Sequence, residues 1–118
     1  MEYRLGSTLR TFLKSRENIE RKYPNSKEDI DRGIREILAN PDRGDKIPGF
    51  RGKVIKMRMP LKKYKMGTRK GLRLIFLKEK KGITPLLIYP ETDYPGEDWV
   101  VGKVKEALND LVQDRHQD

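Results

Sequence analysis

The chain of 118 residues contains no cysteine. Disulfide scaffolds, thiolate metal sites and thiol nucleophiles are therefore excluded. It has a single histidine, His116. One histidine so near the end rules out most His-based metal sites and argues against a Ser-His-Asp triad. No apolar run approaches the roughly 18 residues of a membrane-spanning helix. The opening Met1-Glu2-Tyr3-Arg4-Leu5-Gly6 lacks the apolar core of a signal peptide. These absences predict a protein of the reducing cytoplasm, with no membrane contact, no metal and no small-molecule cofactor. Hydrophobic residues make up only 35%. That suffices for one small core, so one domain is expected over residues 1–118.

Charge is what the sequence has in excess. There are 27 Lys plus Arg against 18 Asp plus Glu, a net charge of +9. The excess is local. Residues 50–81 hold 13 basic residues and one acid, Glu79, whereas the rest of the chain is slightly acidic. A block of this kind is the footprint of a polyanionic partner, either a nucleic acid or an acidic protein segment. A solvated, solubilising hairpin is the plainer alternative.

Periodicity divides the chain into a few elements. Residues 2–5 suit a short strand, and Ser7 suits a helix cap. Leu9, Phe12, Leu13, Ile19 and Tyr23 follow helical spacing up to Pro24. Asn25 and Glu28 read as a capping box. Ile30, Ile34, Ile37 and Leu38 then form one helical stripe, stopped at Asn40-Pro41. After the Pro48-Gly49 turn the period changes to two. Ile55, Met57 and Met59 alternate with Val54, Lys56 and Arg58. A basic connection over residues 61–70 leads to a strand from Leu72 to Lys78. A further strand follows from Ile83 to Tyr89, and its apolar run suggests a central position. Val100, Val104, Ala107, Leu108 and Leu111 mark a last helix, with a tail over 113–118 expected to fray. The order β-α-α-β-β-β-α predicts an α+β domain with a small antiparallel sheet. Its N-terminal helical hairpin is expected on one face.

Four segments in this order resemble the RelE/ParE superfamily of toxins from bacterial type II toxin–antitoxin modules. They are the helical hairpin ending Leu38-Ala39-Asn40-Pro41, and the turn Ile47-Pro48-Gly49-Phe50. The basic strand Val54-Ile55-Lys56-Met57-Arg58-Met59-Pro60 follows. Last comes Lys70-Gly71-Leu72-Arg73-Leu74-Ile75-Phe76 with Leu86-Leu87-Ile88-Tyr89. The likeness covers about residues 10–110. It implies a toxin held inactive by an antitoxin protein. RelE-like members cut mRNA on the ribosome, and ParE-like members poison gyrase without nuclease activity. An RNA-binding protein with no toxin role is the reading outside the family.

Cleavage of RNA without a metal needs the 2′-hydroxyl deprotonated, the phosphate charge offset and the leaving oxygen protonated. Lys56 and Arg58 share one strand face because side chains alternate. The resemblance places them, with Arg73, among the catalytic residues of RelE-like nucleases. Tyr94 is the expected proton donor or stacking aromatic. Lys53, Lys62, Lys63, Tyr64, Lys65, Arg69 and Lys70 are the expected nucleic-acid contacts. One stretch departs from the nuclease pattern. Residues 90–99 carry Glu91, Asp93, Glu97 and Asp98 and no base, and Glu91 stands about where related toxins have lysine. Glu91 or Asp93 as a general base, and Trp99 as a stacking surface, are weighed against an exposed acidic loop and a helix anchor. His116 is expected to have no role.

Overall fold

A computed structural model describes residues 2–116. The strands are β1 (Arg4–Leu5), β2 (Asp45–Lys46), β3 (Val54–Met59), β4 (Leu72–Lys78) and β5 (Gly82–Pro90). The helices are α1 (Arg10–Lys22), α2 (Lys27–Ala39) and α3 (Glu97–Arg115). The fold is α+β, with a five-stranded sheet in the order β1-β5-β4-β3-β2. The expected antiparallel meander of β3, β4 and β5 forms its body. The sheet as a whole is mixed, because β1 pairs parallel to the start of β5. Strand β2 has no counterpart in the sequence reading. It is two polar residues held against β3, too short to show a period.

Alternation along β3 separates two faces. Ile55, Met57 and Met59 lie in register with Phe76, Leu74 and Leu72. Glycine at position 33 lets α2 come down on the side chain of Met59, where a Cβ would collide with it. The helical hairpin therefore packs on that face. Ile19, Ile30 and Ile37 supply its buried stripe, while Leu13, expected in the core, is 43% exposed. The opposite face carries Lys56, Arg58, Arg73 and Tyr89, and α3 reaches it through Trp99, edge-on to Tyr89 at 5.5 Å. Helices thus lie on both faces. The apolar run in β5 is buried throughout as expected, although β4 is the middle strand. Pro85 removes one ladder donor, and the register slips there by a residue between Ile75 and Phe76.

The helix ends differ in detail from the expected caps. The cap residues are Leu9 for α1 and Ser26 for α2. Ser7 instead donates to Asp114 at 2.7 Å, joining the N-terminal segment to α3. Helix α3 continues to Arg115, so the tail is ordered that far. Gln117 and Asp118, its last two residues, lie outside the described residues.

The two ends of the sheet have different tasks. One, the loop end, carries residues 60–71 and the turn after β5. The other, the hairpin end, carries the β4–β5 turn and Lys53. Gly71 sits where β4 leaves the basic loop, and a Cβ there would overlap the Met59 carbonyl oxygen and crowd that of Gly67. Both neighbours are backbone and cannot swing aside. Gly71→Ala is expected to destabilise the domain by about 2–3 kcal/mol. Gly67→Ala, with nothing within 4 Å of its Cβ position, is expected to be near neutral. Thermal unfolding of both variants checks this pair.

Candidate nucleic-acid interface

Arg58, Arg73 and Tyr89 form one cross-strand row on the face opposite the helical hairpin. Lys56 lies two residues before Arg58 on the same face. Tyr94 stacks on Tyr89, with ring centroids 6.0 Å apart and planes at 21°. Lys56, Tyr89 and Tyr94 line a cleft of about 90 Å³ whose other walls include Lys46, Pro48 and Glu97. The fold thus brings Lys56, Arg58, Arg73 and Tyr94 to one place from three chain segments. Arg58 and Tyr94 are exposed, and Lys56 is half-buried.

Arg73 is only 4% exposed. Its guanidinium donates to the carbonyls of Thr68 at 2.8 Å, Arg69 at 2.9 Å and Leu72 at 3.2 Å. Its Nε faces Glu91 Oε2 at 3.1 Å. Burial lowers its pKa from the ordinary arginine value, Glu91 opposes that, and neighbouring Arg58 adds to it. The group that the resemblance would use on phosphate is here spent on protein acceptors. It positions the basic loop and the turn after β5.

Tyr64 also has a structural place. Its ring meets Tyr23 edge-on at 4.9 Å, and its hydroxyl accepts the Asn25 N–H at 3.3 Å. It therefore anchors the basic loop to the α1–α2 turn instead of offering a free stacking ring. Leu61, fully buried, bridges to Met66 and closes the loop on itself. Lys63 pairs with Glu28 at 3.4 Å. Lys62, Lys65, Arg69 and Lys70 remain exposed on this tethered loop. Lys53 stands apart, at the hairpin end.

The acidic loop loses much of its apparent repulsion. Glu91 is paired with Arg73, and Asp93 with Lys22 at 2.7 Å. Glu97 and Asp98 open α3, where the helix dipole favours negative charge. Neither Glu91 nor Asp93 stands as a free base. Trp99 is the anchor of α3. A larger groove of about 250 Å³ lies between α1 and α3, but Lys14 and Lys103 in its lining are matched in number by Asp93 and Glu106, so it offers a polyanion no net attraction. His116 lies just past the end of α3, far from the cleft. Among the described residues no three His, Asp or Glu gather to hold a metal, and no helix is long and apolar enough to cross a membrane.

Tyr89 was not singled out in the sequence, where it closes an apolar strand. Its spacing of two from Leu87 places it on the Arg73 face, and that alternation was the available signal. Burial, helped by Glu91 and Tyr94, pushes its phenol up to about 12. The shift makes it a more reluctant acid than an ordinary tyrosine. No protein-family model matches the chain, and no curated protein does. The RelE/ParE likeness rests on the motifs quoted above.

Two outcomes follow from this geometry. Glu91→Gln leaves the Arg73 guanidinium on its three backbone carbonyls and removes the negative charge beside it. RNA affinity is expected to rise by about 1 kcal/mol, roughly fivefold, in a filter-binding or anisotropy titration. Tyr89 keeps its proton in the folded state above the unfolded value of 10.0. Its contribution is complete below pH 10 and is lost as pH rises towards about 12. Stability measured across that range is expected to fall less steeply in Tyr89→Phe than in the parent chain.

Proposed function

We propose that this chain is the toxin of a type II toxin–antitoxin pair, acting in the cytoplasm as a RelE-like endoribonuclease on ribosome-bound mRNA. The observation that carries the reading is the joining of Lys56 and exposed Arg58 to the Tyr89–Tyr94 stack on one open sheet face. In the reaction the 2′-hydroxyl of a nucleotide gives up its proton to water and its oxygen attacks its own 3′-phosphorus. The bond to the 5′-oxygen of the next nucleotide breaks, leaving a 2′,3′-cyclic phosphate and a 5′-hydroxyl. Lys56 and Arg58 offset the charge that builds on the phosphate oxygens. Tyr94, exposed on this face, supplies the proton that the 5′-oxygen takes up, and Tyr89 supports its ring from beneath. Tyr94 also offers a face on which a base can stack. The lysines of the tethered loop hold the flanking phosphates, and an antitoxin covers this face at rest.

One observation favours a second reading, a non-nuclease binder such as a ParE-like gyrase inhibitor. The Arg73 guanidinium, which the resemblance would direct at phosphate, is enclosed by backbone carbonyls and Glu91. Inducible expression separates the two. The nuclease reading expects growth arrest, fragmented mRNA and cyclic-phosphate ends, with cleavage by purified protein persisting in chelator. Arg58→Ala and Tyr94→Phe are expected to lower cleavage at least about tenfold, as loss of an electrostatic or acid–base group does. Growth arrest with intact mRNA would replace nuclease with gyrase inhibition, read directly in a supercoiling assay. Absence of arrest would remove the toxin assignment.

A further inference from the structure

We propose that the hairpin end of the sheet is a second RNA-contacting surface, which grips the phosphate backbone of a folded RNA element beside the segment held at the loop end. The proposal rests on the RNA-binding reading of the first face. The basic stretch of the sequence is continuous, but the fold splits it. Arg58 and the lysines of residues 62–70 gather at the loop end, whereas Lys53, Lys80 and Lys81 stand at the other. Arg4 joins the second group, because its N–H donates to the Lys81 carbonyl at 2.9 Å. Lys53 and Arg58 are separated by about 17 Å along β3.

The local acids are largely spoken for. Glu79 pairs with Arg115 at 2.5 Å, and Asp42 with Lys78 at 2.7 Å. The Lys78 ammonium also sits 5.6 Å from the Tyr3 ring centre. Arg4, Lys53, Lys80 and Lys81 are exposed and form no ion pair among the described residues. Among the described residues, Glu2 is the acid that lines the same depression as Arg4, Lys80 and Lys81. Four unpaired cations and one unpaired carboxylate of the described residues therefore meet at this end of the sheet. Tyr3, Lys53 and Lys80 share one shallow depression and Arg4 and Lys81 the next, so the charges form a continuous surface.

A single strand lying in the Tyr94 cleft does not reach this surface. Val54, Ile75 and Leu77 occupy the same sheet face between the two ends, and all are buried. Helix α3 spans the distance, from Trp99 against Tyr89 to Arg115 against Glu79. Among the described residues no open groove joins the two cationic ends. Two phosphate tracks can meet them together, as where a paired RNA segment flanks an unpaired one. An acidic protein tail would need the same bridging and finds no groove in which to extend.

The test compares a short single-stranded RNA with the same sequence set in the loop of an RNA hairpin. Binding to each is measured against salt for the parent chain and for a variant combining Lys53→Ala, Lys80→Ala and Lys81→Ala. A control with Lys14→Ala, Lys103→Ala and Lys105→Ala has the same net charge. The hairpin-end variant is expected to lose at least about tenfold affinity for the hairpin RNA and to lower its salt slope by about 2. Its affinity for the single strand and that of the control for both RNAs are expected to change less than about twofold. Equal losses on both RNAs, or none on the hairpin, overturn the proposal while leaving the first site standing. Loss of polyglutamate binding alone overturns it in favour of an acidic protein. If the parent chain binds neither RNA, the RNA reading itself fails.

Discussion

The buried guanidinium of Arg73 holds the loop end of the molecule together. Its strand lies at the centre of the sheet, and its donors leave in two directions. The carbonyls of Thr68 and Arg69 bind the basic loop to β4, and Glu91 binds the turn after β5. A charged group this deep is costly unless its donors are satisfied, and here the surrounding carbonyls and one carboxylate do so. Both segments that frame the cleft are thus tied to one residue. The lysines of the loop are presented from a fixed base, and Tyr94 is set over Tyr89.

The same arrangement removes the conflict between a basic face and an acidic loop. The four acids of residues 91–98 are matched one by one, two by cations and two by the start of α3. What remains open to solvent at the loop end is mostly positive. Tyr89 lies beneath this surface, with a phenol that burial makes more reluctant to ionise. Cations suited to phosphate and an exposed phenol, Tyr94, thus occur on one face.

Much of the architecture was legible beforehand, for identifiable reasons. The α1 and α2 stripes, the alternation of β3 and the apolar run of β5 are signals written in spacing, and each produced its element. Two short strands were harder. Residues 2–5 were legible as a short strand but its partner was not, because the parallel pairing of β1 depends on where β5 lies. Strand β2 has two polar residues and no pattern at all. Lys56 and Arg58 fell on the expected face because period two dictates it. Tyr64 was read as a nucleic-acid contact and Arg73, by resemblance, as a catalytic residue, yet one packs on Tyr23 and the other is enclosed. Residue type does not say which partner a polar group will find.

The sequence by itself determined the class of fold, the excess of positive charge and the reactive groups available, since these follow from composition and local period. Only the tertiary structure decided how those groups are shared out. It divided one basic stretch between two ends of a sheet, because a strand carries its neighbours apart at about 3.3 Å per residue. It also turned an acidic loop into a set of paired charges, because residues 22 and 73 come to meet it only after folding. Contacts between residues so distant in the chain leave no trace in local spacing.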